Sequence, residues 1–365
     1  MPKILFVAAH RPDRSPSQRY RLEQFQEYWA AHGYTVELAA LLDEGDDRLF
    51  YAPGSLLGKA VVFLRGWWRR WRQVRRAGEA DIILIQREAF MTGSTRFERA
   101  LARSGRPVIY DFDDAIWLLD VSEANKRLSW LKDPSKTARI IALADLVIAG
   151  NDHLADYARR FNRRVEVIPT VVDTDRYLLP ASQPEGGPIT IGWTGSYTSL
   201  THLRHSLPIL EALHARYQGR IRFKVISDRE LRHPGLPIEN VRWNSHSEAE
   251  DLSDIDIGIM PLPDDAWSRG KCGFKGLQYM ALGKPVVLSA VGVNSTIVQD
   301  GVNGFLASDE AEWIAKLALL IEDGDLRRRL GREARRTVEE RYSVNAWKDR
   351  YLALFDQLLN DNPRL

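Results

Sequence analysis

Lys271-Cys272-Gly273-Phe274-Lys275-Gly276-Leu277-Gln278-Tyr279-Met280-Ala281-Leu282-Gly283-Lys284-Pro285-Val286-Val287 is the stretch that decides how this 365-residue chain is read. A basic, glycine-punctuated loop runs into a short helix, breaks at Gly283-Lys284-Pro285 and resumes as an apolar strand. That order sets a helix N-terminus, two lysines and free backbone N–H groups where a diphosphate can sit. Further on, Asp300-Gly301-Val302-Asn303-Gly304-Phe305-Leu306 makes a second Gly/Asn turn that closes onto an apolar pair.

Outward from this stretch, short apolar runs alternate with amphipathic helices, the pattern of a parallel α/β sheet. The first half predicts strands at 4–9, 35–41, 81–85, 107–110, 145–149 and 165–168. A helix over 18–32 carries Tyr20, Phe25, Tyr28 and Trp29 at helical spacing. A second series follows at 189–193, 221–226, 240–242, 256–260, 285–288 and 304–306. Between the two lies Pro180-Ala181-Ser182-Gln183-Pro184-Glu185-Gly186-Gly187-Pro188, the best linker candidate in the chain. A last helix at about 343–360 presents Trp347, Tyr351, Leu354, Phe355 and Leu358 on one face. The length suits two domains, each with its own core. A hydrophobic share of 44% with 27% charged residues is that of an ordinary globular chain, and a net charge of +2 excludes a global polyanion binder. The single cysteine, Cys272, excludes a disulfide framework and a cysteine-built zinc site, and reads as a small filler.

The loop–helix–strand–turn order resembles the donor half of GT-B glycosyltransferases, in particular the GT4-like retaining enzymes (glycosyl transferases group 1), over about 35 residues. The resemblance implies two Rossmann-like doubly wound domains with an interdomain cleft. Residues 1–180 would form the acceptor-binding domain, joined by a C-terminal helix at 343–365, and 181–342 the nucleotide-sugar domain. It also implies that Lys275, with Lys271 and loop amides, neutralises the leaving nucleotide diphosphate without a metal or other cofactor. The chain departs from the family at the E-x7-E positions, which hold Gly270 and Gln278. Gln278 can still meet ribose hydroxyls as a neutral amide, and Asp264 or Asp265 offers a substitute carboxylate near Gly270.

The remaining candidates sit where strands hand over to helices, the ligand edge of such sheets. Gly195 and Ser196, in Trp193-Thr194-Gly195-Ser196-Tyr197-Thr198-Ser199, allow close backbone approach to phosphates and equally suit a helix cap. Arg229 follows Ser227-Asp228 as a phosphate or base contact. Gly292 and Asn294, in Val291-Gly292-Val293-Asn294, open a second helix N-terminus toward the sugar or β-phosphate. In the first half, Asp111, Asp113 and Asp114 crowd three carboxylates into four residues, and Glu88 ends the preceding strand. Such clusters suit a base or a stabiliser of an oxocarbenium-like transition state, or else a capped helix with a salt bridge. Their place in the acceptor half argues against a metal-binding DxD. The arginines of His10-Arg11-Pro12-Asp13-Arg14 would grip an anionic acceptor.

From Lys59 to Arg76 the chain carries seven positive and no negative residues, interleaved with Phe63, Trp67, Trp68 and Trp71. Segment 56–76 therefore reads as a helix lying on an anionic membrane surface, rather than a nucleic-acid contact or a helix packed on the sheet by its Trp face. With no 18-residue apolar run, the expectation is a cytoplasmic protein, peripheral at the inner membrane face. Together these readings point to a retaining transfer of a sugar from a nucleotide sugar to a glycan or lipid-linked acceptor, in cell-surface polysaccharide or lipopolysaccharide assembly. The alternative is an inactive, nucleotide-sugar-binding partner subunit. A GT-B epimerase would need inward His/Glu pairs, which the sequence does not offer.

Overall fold

A computed structural model describes residues 1–51, 56–118, 133–179 and 186–362. The chain divides into two compact units, Met1–Thr170 with Trp347–Leu365 and Val171–Ala346. The first crossing thus lies ten residues before position 180, and residues 180–185 of the Pro/Gly-rich stretch lie outside the described residues.

Unit 1 holds strands β1 (Lys3–Ala8), β2 (Thr35–Ala40), β3 (Ile82–Gln86), β4 (Val108–Phe112), β5 (Leu146–Ala149) and β6 (Val165–Val167). They form a parallel sheet in the order β2-β1-β3-β4-β5-β6. β3 and β4 are buried along their whole length, as strands covered by helices on both faces must be. The helices are α1 (Pro16–Arg21), α2 (Gln26–Ala31), α3 (Glu44–Tyr51), α4 (Leu56–Arg75), α5 (Arg96–Ala102), α6 (Lys136–Leu143) and α7 (Asp152–Arg159). Every strand predicted from an apolar run, here and in unit 2, falls within two residues of its expected ends.

The predicted continuous helix over 18–32 is broken. It becomes α1, a 3-10 turn at Glu23–Phe25 and α2, with Leu22 at φ −138° between them. Arg21 and Leu22 are both fully buried, and neighbouring positions on an unbroken helix point about 100° apart. The kink lets both side chains face the core.

Unit 2 holds β7 (Ile189–Thr194), β8 (Ile221–Ser227), β9 (Ile238–Arg242), β10 (Ile257–Met260), β11 (Val286–Ser289) and β12 (Phe305–Ala307), parallel in the order β12-β11-β10-β7-β8-β9. Its helices are α8 (Leu200–His205), α9 (Leu207–Arg216), α10 (Glu248–Ser253), α11 (Ala266–Arg269), α12 (Phe274–Ala281), α13 (Asn294–Ile297), α14 (Glu310–Glu322) and α15 (Gly324–Arg341). α12 lies unusually close to the sheet. A Cβ at Gly258 of β10 would stand 2.3 Å from the Tyr279 ring, so only glycine admits that helix. The last helix, α16 (Val344–Asp361), packs Tyr351 and Phe355 against Phe25 and Trp29 of unit 1, with ring centroids 4.8 to 5.3 Å apart.

The Trp-rich face of α4 also turns inward. Trp67 and Trp71 meet Phe97 at 4.7 and 5.4 Å, and Phe63 meets Phe90 at 5.0 Å. Arg70 is buried and donates to the carbonyls of Ala8, Ala39 and Ala89, stitching strand ends together. Of the aromatics read as a membrane face, Trp68 alone stands in solvent.

Candidate active site

In each sheet the strand order reverses once, between β1 and β3 in unit 1 and between β7 and β10 in unit 2. Helices leave to opposite faces at these points, and the gap they open is where such sheets bind ligands.

At the unit 2 reversal, Tyr279 on α12 accepts a hydrogen bond from the Thr194 amide through its hydroxyl at 2.8 Å. This pins the helix to the end of β7. One turn earlier, Lys275 reaches across the same gap. Its Nζ lies 4.8 Å from the centre of the Trp193 ring, and its Cε would be 2.7 Å from a Cβ at Gly195. The absence of a side chain at 195 is therefore what seats Lys275. Lys271 lies similarly over Trp267, 4.8 Å from the ring centre, and Arg229 over Tyr197 at 4.5 Å. The Tyr197 amide donates to Asp228 Oδ1 at 2.6 Å, which joins the loops after β7 and β8. Ser196 Oγ lies 2.9 Å from Thr198 Oγ1 within the same loop.

Gly273, at φ +66°, caps α12 from the left-handed region. A side chain there would strike Ile297 and come within 3.2 Å of Asn294 Oδ1. Asn294 is buried and donates to Ser289 O at 3.1 Å, holding the turn after β11 against the α12 N-terminus. Gly292, at φ +56°, lets that turn seat on Arg269, whose carbonyl oxygen would be 2.8 Å from a Cβ at 292. Gln278 is buried, and its amide donates to Tyr177 Oη at 2.7 Å, so it is engaged inside the unit. Asp265 caps α11 through Ser268 N, and Asp264 pairs with Arg269 at 2.7 Å. Both carboxylates offered as substitutes near Gly270 thus have local tasks.

His202 on α8 belongs to this cluster and was not singled out by any motif. Its pKa is lowered by burial first and then by the charges of Lys275 and Lys271, against Asp265.

In unit 1 the carboxylates separate into two environments. Asp111 is fully buried and paired with Arg21, whose Nη2 lies 2.5 Å from Oδ1. Arg21 also donates to Ile168 O, and its own carbonyl accepts from the Tyr351 hydroxyl at 3.0 Å. Burial raises the Asp111 pKa even against Arg21. Offered by sequence as a base, Asp111 is in the structure an internal anchor that ties β4 to Arg21 of α1, and through Arg21 to Ile168 after β6 and Tyr351 of α16. Asp113 and Asp114 instead share Arg87, at 2.7 and 2.6 Å. For Asp113 burial raises the pKa, but Arg87, Arg21 and a bond from Ser17 more than offset it, leaving it lowered. Arg87 sits at φ +58°, a left-handed conformation costing a non-glycine residue about 1–3 kcal/mol. Its carbonyl accepts from the Tyr110 hydroxyl at 2.8 Å and its amide donates to Asp111 O, which hold the strained turn. Gln86 donates to Ser17 Oγ at 2.6 Å, extending this network to α1. Glu88 lies apart from it, paired with Lys136 at 3.0 Å. The loop after β1 converges on Asp47, which meets Arg14 at 2.9 Å, Arg11 at 3.7 Å and His10 at 3.6 Å. Among the described residues no three His, Cys, Asp or Glu side chains gather as a metal site, and no helix is long and apolar enough to cross a membrane.

Against this geometry, comparison with known proteins is consistent. Residues 20–176 match "Glycosyltransferase Family 4" and residues 188–323 match "Glycosyl transferases group 1". Similar solved folds include sucrose-phosphate synthase from Thermosynechococcus elongatus (TM-score 0.69, 14% identity, 99% of this chain and 100% of that one). A glycosyltransferase from Rickettsia africae gives 0.68 with 15% identity over 99% of both chains. HepE from Anabaena gives 0.65 with 16% identity, over 98% of this chain and 100% of that one. Among curated sequences, trehalose synthases from Thermococcus litoralis and Pyrococcus furiosus are each 34% identical over 73 residues, a stretch covering 20% of this chain and only 18% of theirs. The chain is thus a GT4-like glycosyltransferase of the GT-B fold.

Proposed function

We propose that the protein moves a sugar, with retention of configuration, from a nucleotide-diphosphate sugar to a glycan or lipid-linked acceptor in cell-surface polysaccharide or lipopolysaccharide assembly. It would act at the cytoplasmic face of the membrane and without a metal ion. The observation that carries this reading is Lys275 laid between Trp193 and Gly195 at the β7/β10 reversal. HepE, a similar fold, was solved with UDP-glucose.

A diphosphate at this point would meet Lys275, Lys271, Arg229 and the first amides of α12. The turn bearing Gly292 and Asn294 would approach the sugar and β-phosphate. As the glycosidic bond breaks, charge builds on the departing phosphate, and donors already aimed there stabilise the transition state more than the ground state. The acceptor oxygen then attacks from the face the phosphate has left, and a phosphate oxygen takes the hydroxyl proton, so no covalent enzyme intermediate forms. On unit 1, Asp113 and Asp114, held by Arg87, and Glu88, held by Lys136, would orient acceptor hydroxyls. Gln278, whose amide nitrogen donates to Tyr177 Oη, would accept from a ribose hydroxyl through Oε1.

The test is turnover on a panel of UDP-, GDP-, ADP- and dTDP-sugars, with product anomers assigned by NMR. Lys275→Ala should lower kcat/KM by about 10²–10³-fold. An inverted product, or full activity in the variant, would sink the reading. The partner-subunit alternative rests on Gly270 and Gln278 standing where the family has glutamates. It predicts nucleotide binding with no turnover on any donor.

A further inference from the structure

α4 has two faces of different fate. The inner one carries Phe63, Trp67, Arg70 and Trp71 and is packed into unit 1. The outer one leaves Leu57 85%, Val61 42%, Leu64 58% and Trp68 66% exposed, at successive spacings of four, three and four residues. These positions form one continuous ridge down the helix. Beside it runs a shallow groove of about 660 Å³ lined by Val61, Leu64, Arg65, Trp68, Arg69 and Arg72. Arg72 and Arg75 pair with no carboxylate among the described residues, and Arg65 approaches Asp46 only at 3.8 Å. Leu56–Arg75 contains no acidic residue. A monomer rarely leaves an apolar ridge of this kind open without a partner.

We propose that this outer face docks on an anionic phospholipid bilayer. Leu57, Val61, Leu64 and Trp68 enter the acyl boundary while Arg65 and Arg72 lie on lipid phosphates. The charge distribution selects this occupant. A second copy of the chain, paired about a two-fold axis, would bring the same arginine rows together. A bilayer supplies apolar depth and phosphates side by side along one helix.

The docking face is also tied to the loop after β1. Asp43 and Asp46 accept from Arg69 of α4, each at 2.7 Å, and the next residue, Asp47, holds Arg14, Arg11 and His10. Seating α4 on lipid therefore sets the His10–Arg14 loop at headgroup level. There its exposed arginines would meet the phosphate of a lipid-linked acceptor; this last step alone rests on the function proposed above.

The experiment is co-sedimentation of the full chain with phosphatidylcholine vesicles, with and without about 30 mol% phosphatidylglycerol. Binding should require the anionic lipid and weaken by about tenfold or more in Leu64→Glu, Trp68→Glu and the Arg65→Glu/Arg72→Glu pair, with unchanged melting temperatures. Equal binding to both vesicles, no binding to either, or variants that bind like the parent would overturn the proposal. So would a concentration-dependent dimer in analytical ultracentrifugation that Leu64→Glu abolishes, which would assign the face to a second copy. Nucleotide-sugar binding is measured on the same samples. Vesicle binding without nucleotide binding keeps the docking face and sinks the transferase reading, and the reverse result does the opposite.

Discussion

The two reversal points handle positive charge in opposite ways. In unit 2, Lys271, Lys275 and Arg229 lie on the faces of Trp267, Trp193 and Tyr197. In unit 1, Arg21, Arg87 and Lys136 lie against Asp111, Asp113, Asp114 and Glu88. A ring face orients a cation through its quadrupole, whereas a carboxylate fixes it by direct charge pairing. The cations of unit 2 thus have an aromatic seat and those of unit 1 a carboxylate one, which holds the strained Arg87 turn in a set geometry.

The sharpest break of this comparison is at Asp111. Its replacement by Ala removes the carboxylate that neutralises buried Arg21, so stability should fall by about 3–5 kcal/mol in denaturant titration. Asp113→Asn keeps the side-chain shape beside Arg87, which Asp114 still pairs, so it should cost less, about 1–2 kcal/mol, while lowering turnover. If the two variants lose stability equally, the division of labour among these carboxylates is wrong.

A smaller effect is expected at Gly195. Gly195→Ala puts a methyl group 2.7 Å from Lys275 Cε, 2.6 Å from Ser199 Oγ and 2.7 Å from the buried Trp193 ring. Displacing the lysine should raise the donor KM about tenfold, a cost of about 1.4 kcal/mol, and the shift forced on the ring should lower the melting temperature by a few degrees. An unaltered KM would mean that Lys275 does not depend on this seat.

The mildest effect concerns pH. His202 has a folded pKa below its ordinary value of 6.5, through burial and then Lys275 and Lys271. Its contribution to stability is therefore present above pH 6.5 and is lost as pH falls through the folded pKa. A bound diphosphate reverses the local field and favours the protonated ring, so donor affinity should rise on acidification across the same range. Titration calorimetry in two buffers of different ionisation enthalpy should show proton uptake with the nucleotide sugar, absent in His202→Asn. Uptake that persists in the variant would place the proton elsewhere.

How much of this was legible beforehand follows from the range of each interaction. Apolar runs and glycine breaks are local signals, and they located the strands of both sheets and the loop–helix–strand around Lys275. The partners of Arg21 were not legible, because Asp111 is 90 residues away and Ile168 is 147. The break at Leu22 was missed for the same reason: helical periodicity over 18–32 says nothing of the carboxylate to which Arg21 must reach. Ser17 and His202 carry no motif: Ser17 becomes visible only beside the ends of β3 and β4 in unit 1, and His202 only beside Lys271 and Lys275 in unit 2. On α4 the composition announced a basic aromatic helix, but three of its four aromatics pack inward on Phe90 and Phe97.

From the sequence alone came the two parallel α/β series, the family resemblance and the lysine-bearing loop, all set by backbone propensity and patterning over a few residues. Only the tertiary structure decided which charges are cancelled, which acid is an anchor, and which face of α4 meets solvent. Those outcomes depend on burial and on pairs brought together across the sheets, and the free energy of a charge is set by what surrounds it in space rather than by its neighbours along the chain.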